Sequence, residues 1–208
     1  MCFCTVRHRT EPEKPSHRRR QRSQPTAVAT PKTIGAGEIE AAITRLAAAI
    51  AARHGLPAPV LFLGIANGGI ELARRLAQRL GGRAGTLDVS FHRDDIGRHP
   101  IPKEFAPTQI HGDVHGATII LVDDVLFSGR TIKAALDELF DHGRPTKVEL
   151  AVLVDRGGRR LPIAADYSGV TLNAKENEKV VVSLDGTNPK QDVVRVEPAG
   201  TATRSSAI

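Results

Sequence analysis

Ile119-Ile120-Leu121-Val122-Asp123-Asp124-Val125-Leu126-Phe127-Ser128-Gly129-Arg130-Thr131 is the stretch that decides the fold. Thr118 to Val122 is almost wholly aliphatic, as a strand buried on both faces requires. Two carboxylates follow at the strand end, then a turn of small residues. From Thr131 to His142 apolar positions recur at helical spacing, with Gly143 past the end. In an open parallel sheet, ligands bind just beyond the carboxyl ends of the strands, so this turn is where chemistry is expected. Ser128, Gly129 and Thr131 offer hydroxyls and accessible backbone N–H groups at a helix N-terminus, a setting that favours a phosphate anion. Arg130 adds a cation beside them. Asp123 and Asp124 can accept hydrogen bonds from vicinal hydroxyls or hold water ligands of Mg²⁺. An isolated Asp-Asp is as readily an ordinary turn or helix cap. With Ser-Gly-Arg-Thr attached, the spacing suits one pocket holding ring hydroxyls at one end and a 5-phosphate at the other.

Working outward, the same grammar repeats. Ala41, Ile43, Leu46, Ala47 and Ile50 mark a first helix that stops at Gly55-Leu56-Pro57. The apolar run Val60 to Ile65 predicts a strand, Ala66-Asn67-Gly68-Gly69 a turn, and Ile70 to Leu80 an amphipathic helix closed by Gly81-Gly82. Thr86 to Phe91 reads as a strand. The segment from His92 to Gly116 has prolines at positions 100, 102 and 107 and no sustained period, which suits a functional loop or lid. Lys147 to Val154 gives a further strand. Strands alternating with helices predict an α/β fold, a mostly parallel twisted sheet with helices on both faces. Asp155 to about Leu184 is expected to form a small hood over the carboxyl edge, and residues 186–208 a polar tail.

Of 208 residues, 40% are hydrophobic but only 3% aromatic, so the core is aliphatic and base-stacking platforms for single-stranded nucleic acid are poorly supplied. The formal charge of +6 suggests nucleic acid until the charges are placed. Residues 1–33 hold eight basic and two acidic side chains, which is the whole excess; the remainder balances 21 against 21. This arm is polar, basic and Pro-rich and is expected to be disordered. Both cysteines, Cys2 and Cys4, lie in it, so neither a disulfide framework nor a four-cysteine zinc site can be built, and a reducing compartment fits. No stretch approaches about 18 uninterrupted apolar residues. The expectation is a cytoplasmic protein of one domain, residues 34–185, with no membrane partner.

The loop Asp123 to Thr131 resembles the 5-phosphoribosyl-1-pyrophosphate (PRPP) signature of type I phosphoribosyltransferases: an apolar strand, two acids and a Thr/Ser-Gly-x-Thr phosphate loop. Purine, pyrimidine and orotate enzymes, PRPP synthetases and non-catalytic regulators all share it. Enzymes acting on 6-oxopurines carry an acid where Phe127 stands, which favours a pyrimidine here. Gly143-Arg144-Pro145, Leu150 to Gly157 and Leu161 to Tyr167 are similar to the PyrR family, as is Phe91-His92-Arg93-Asp94-Asp95. That family combines uracil phosphoribosyltransferase activity with UMP-dependent binding of pyrimidine-operon leader RNA. The resemblance implies uracil and PRPP as substrates, Mg²⁺ carried with PRPP, UMP as product, and a homo-oligomer. It places Asp123 and Asp124 on the ribose hydroxyls, Ser128, Gly129, Arg130 and Thr131 on the 5-phosphate, Val125, Leu126 and Phe127 among the other PRPP-binding residues, Arg93 on the pyrophosphate when the lid closes, and Arg159 at the nucleotide from the hood. No residue is directly assigned as a metal ligand.

Two departures stand out. The family's Lys-Thr-Arg-Gly pyrophosphate turn is here Ala66-Asn67-Gly68-Gly69, without either cation. In the hood, the family's Arg-Gly-His-Arg is Arg156-Gly157-Gly158-Arg159, its Ile-Arg-Ala-Asp is Ile163-Ala164-Ala165-Asp166, and a Gly-Lys pair is Gly169-Val170. The missing side chains belong to the family's RNA-facing surface, and phosphate contacts supply much of RNA affinity. Any RNA binding is therefore expected to be weak and to reside in the arm.

Overall fold

The computed structural model describes residues 33–90 and 107–199. Five parallel strands form the main sheet in the order β3-β2-β4-β5-β6: β2 (Leu61–Ile65), β3 (Arg83–Leu87), β4 (Thr118–Leu126), β5 (Lys147–Asp155) and β6 (Tyr167–Thr171). The aliphatic runs at the centre of the sheet alternate between two cores. Phe62, Ile120, Val122, Ala151 and Leu153 pack with Ile39, Ile43 and Leu46 of α1 (Ala36–His54) and Leu72 and Leu76 of α2 (Ala66–Leu80). Leu63, Ile119, Leu121, Leu150 and Val152 pack with Ile132, Ala135 and Leu139 of α3 (Arg130–Asp141). This is the period-2 alternation of a sheet covered on both faces.

Helix α2 begins at Ala66, directly after β2, so the expected turn Ala66 to Gly69 is the helix's first turn. The glycines signalled a loop because glycine is a poor helix former. What places them here is close approach: a Cβ on Gly69 would overlap the carbonyl oxygen of Val122. Strand β3 starts and ends earlier than the expected Thr86 to Phe91; most of the expected lid, residues 92–106, lies outside the described residues, and after it Gln109 makes an antiparallel bridge to Thr86.

The C-terminal region corrects the expected polar tail. A 3₁₀ turn (Pro189–Gln191) leads into β8 (Val193–Pro198), the central strand of a second, antiparallel sheet ordered β1-β8-β7, with β1 (Thr33–Gly35) and β7 (Glu178–Ser183). The hood therefore draws on both ends of the described chain, not on residues 155–185 alone, and β6 belongs to the main sheet. Val193 to Val196 lack strict alternation, but Val194 is buried against the α1 core. Asp192, also buried, forms a two-pronged ion pair with Arg75 of α2. The basic arm lies outside the described residues except for Thr33, which opens β1.

Candidate phosphoribosyl site

The carboxyl edge of the sheet gathers three loops: the start of α2 after β2, Asp123 to Gly129 at the end of β4, and Asp155 to Arg160 after β5. Strand β7 of the hood packs against β4. Asp123 is buried, and its carboxylate accepts a hydrogen bond from the Asp124 backbone N–H at 3.0 Å. Burial, and then the neighbouring Asp124 charge, push the Asp123 carboxyl well above the usual carboxylate range. Burial also raises Asp124, while hydrogen bonds from the Val125 backbone and Asp123 and, least, the Lys179 charge on β7 act against it. The pair thus holds its two negative charges at a cost, which hydroxyl donors or a cationic centre would offset. The start of α2 closes on this pair: a Cβ on Gly68 would run into the Asp124 carboxylate. Only glycine leaves that carboxylate in place.

The phosphate loop is shaped by Gly129, whose φ of 89° is left-handed and which caps α3 with no side-chain hydrogen bond. The first amides of α3 therefore remain available to an anion. Ser128 Oγ accepts only a long bond from Arg130 N, at 3.3 Å, and Thr131 is exposed. Behind the loop, Arg160 N and Leu161 N both donate to Ser128 O at 3.1 Å.

Arg159, expected at the nucleotide, is placed as a brace. Its guanidinium donates to the carbonyls of Leu126, Phe127, Gly157 and Ile163 and pairs with Asp155 at 2.6 Å. Arg156 was not singled out by sequence reasoning, yet it stacks on Phe127, 3.9 Å from the ring centroid. No sequence signal joined the two, because Phe127 follows β4 and Arg156 follows β5 and only the sheet brings them together. Val125 and Leu126 lie in β4, with Leu126 in the α3-side core. Arg93 lies outside the described residues, as do the side chains of Ala66 and Asn67. A groove of about 370 Å³ near Pro57, Gly82, Arg83 and His111 opens at the opposite, amino-terminal edge, away from the acid pair. Among the described residues no three His, Cys, Asp or Glu side chains converge on a metal position, so a divalent ion fits here only if the ligand's own oxygens supply most of its shell.

A parallel sheet with an acid pair and a glycine-led loop at its carboxyl edge is the arrangement expected of a phosphoribosyltransferase fold. Residues 32–185 match the phosphoribosyl transferase domain family, and the chain belongs to it. Solved structures bear out the fold: hypoxanthine phosphoribosyltransferase of Trypanosoma cruzi superposes with a TM-score of 0.57 at 21% identity, covering 79% of this chain and 94% of that one. A Staphylococcus aureus hypoxanthine phosphoribosyltransferase gives 0.56 at 19%, covering 78% and 90%.

Within that class the chain is a member of the PyrR family. It is 49% identical over 154 residues to the "Bifunctional protein PyrR" of Streptomyces coelicolor, covering 71% of this chain and 79% of the relative. The protein of the same name from Desulfosudis oleivorans is 46% identical over 175 residues, covering 79% and 94%.

Proposed function

We propose that the chain transfers the 5-phosphoribosyl group of PRPP to uracil, forming UMP and pyrophosphate. The observation that carries this reading is the juxtaposition of an acid pair, Asp123 buried and Asp124 half-buried, with a helix N-terminus that starts at Gly129, four residues lying between Asp124 and that glycine. The α3 amides, Ser128 and Thr131 take the 5-phosphate, and Asp123 and Asp124 accept from the ribose hydroxyls. Uracil N1 forms the new bond to C1 and gives up its proton, to water or to the departing pyrophosphate, as the bond from C1 to the diphosphate oxygen breaks, its electron pair leaving with pyrophosphate. Positive charge developing on the ring in the transition state meets the acid pair, already strained by its own negative charge. Mg²⁺ bound with PRPP supplies neutralisation of the diphosphate. Arg93 and the glycine-led start of α2 would grip that diphosphate. Support for a pyrimidine comes from Phe127, an apolar ring locked under Arg156 where purine enzymes present an acid.

The relatives are named bifunctional, which supports a second activity; the family resemblance makes it RNA binding, and the charge excess in residues 1–33 makes that arm its main seat. Arg159, spent on backbone carbonyls, adds little charge to an RNA-facing hood.

The test is incubation with Mg²⁺, PRPP and each of uracil, orotate, hypoxanthine, guanine and adenine, followed by nucleotide detection. UMP is the expected product. A purine nucleotide in its place would overturn the base assignment, and no nucleotide with any base would overturn the enzymatic reading.

A further inference from the structure

Arg156 is a buried cation, 7% exposed, with no ion-pair partner among the described residues. Its Nη2 donates to Lys175 O at 3.1 Å, while its buried Nε makes no hydrogen bond. Desolvation lowers its pKa, with only the more distant Glu178 charge acting against it. A residue serving only as filling would be replaced at little loss by an apolar side chain of similar volume. What Arg156 does make is a stack on Phe127, its guanidinium 3.9 Å from the ring centroid. Its backbone N–H also donates to Leu126 O at 3.1 Å. Gly158, left-handed at φ 73°, closes on the Cδ2–Cε2 edge of the same ring, where a Cβ would lie 2.5 Å from Cε2. Phe127 is thus fixed over its face and along one edge. It is also the residue immediately before Ser128 and Gly129, whose backbone aims the first amides of α3.

We propose that Arg156 is a positioning residue for the 5-phosphate: stacked on Phe127, it fixes the backbone from Phe127 to Gly129 and so the direction in which the α3 amides meet the anion. This rests on the phosphoribosyl reading above. The clamp acts on ligands that carry a 5-phosphate and not on pyrophosphate, which lies toward the start of α2.

The experiment is calorimetry with UMP, Mg²⁺-PRPP and Mg²⁺-pyrophosphate on the full chain and on Arg156→Met, Arg156→Lys, Phe127→Leu and the double variant Arg156→Met/Phe127→Leu, with thermal melts alongside. A desolvated cation–aromatic contact implies that Arg156→Met and Phe127→Leu each weaken UMP and PRPP binding about tenfold. The double variant should be no worse than the weaker single by more than about twofold, because both remove one shared contact. Arg156→Lys, which keeps a cation over the ring, should fall between wild type and Arg156→Met, and pyrophosphate binding should not change. Unaltered UMP affinity in Arg156→Met, multiplicative losses in the double variant, or an equal loss for pyrophosphate would each overturn the clamp. If Arg156→Met does not fold, Phe127→Leu and Arg156→Lys decide by the same comparison of UMP with pyrophosphate. Wild-type protein that bound neither UMP nor PRPP would instead overturn the phosphoribosyl reading itself.

Discussion

Replacing Asp192 by alanine should loosen the C-terminal strand from the body of the protein. The Asp192 side chain is 2% exposed and that of Arg75 6%, with Nη1–Oδ2 at 2.5 Å and Nη2–Oδ1 at 3.2 Å. Asp192 Oδ1 also accepts from Asp185 N at 2.8 Å. Removing one partner of a buried ion pair costs about 3–5 kcal/mol, because the other charge is left uncompensated. Here Arg75 would keep Glu71 at 2.7 Å and the Asp185 carbonyl at 2.7 Å, which places the loss at the low end, about 3 kcal/mol. For a protein of this size each kcal/mol shifts Tm by about 2–4 °C, so the expected fall is about 6–12 °C. Differential scanning calorimetry checks it, and 1 M salt should change the difference little, since buried pairs are weakly screened. Arg75→Met/Asp192→Leu should recover more than half of the loss, because apolar replacement of a buried pair is close to neutral. A fall of less than about 2 °C, or no recovery in the double variant, would refute the tether.

Asp123→Asn should abolish UMP synthesis yet leave the ligand-free fold intact and more stable by about 0.5–2 kcal/mol, the usual gain when a functional strain is removed. The pKa of Asp123 is raised on folding, so wild type loses stability relative to the variant as pH rises from the ordinary Asp value toward the raised one, and the gap is constant above it; melts across pH would show this. Gly68→Ala should lower UMP synthesis more than about tenfold through the displaced Asp124 carboxylate, since small misplacements in a site cost that much; unchanged kcat/KM would contradict the packing at α2. Burial alone would raise the Glu149 carboxyl, but hydrogen bonds from Lys147, His54 and Tyr167 hold it down at about 2. Its stabilisation, on the order of 3 kcal/mol, is present above the unfolded value of 4.5 and is lost as pH falls toward 2. Glu149→Gln should remove it at neutral pH and flatten the acid limb of the melting curve between those values.

The parts of the fold legible in the sequence are those set by local period. Ile119 to Val122 and Leu150 to Val154 could be read as buried strands because both faces of a covered parallel sheet demand aliphatic residues, and α3 declared itself by its spacing within one residue at each end. What escaped was set by long-range packing. Val193 to Pro198 looks like the start of a tail because it alternates weakly and is flanked by polar residues; it becomes a strand only because Thr33–Gly35 and Glu178–Ser183 arrive on its two sides and Arg75 waits for Asp192. Glu178–Ser183 is a near neighbour in sequence, but Thr33–Gly35 and Arg75 are not, and a pattern reading has no access to partners more than 100 residues away.

The site divides along the same line. Asp123, Asp124 and Ser128 to Thr131 were legible because strand end, turn and helix start are contiguous, so composition and geometry coincide. The four residues Ala66 to Gly69 were read for what they lack, two cations, when their more telling property is what they leave room for. Gly68 has no Cβ because the Asp124 carboxylate occupies that space, and Gly69 has none because Val122 O does. A cation restored at position 68, which charge counting alone would recommend for a diphosphate, would therefore first have to displace the carboxylate on which the ribose depends. Seen from the acid pair, the glycines are first of all what lets α2 start against the Asp124 carboxylate and Val122 O.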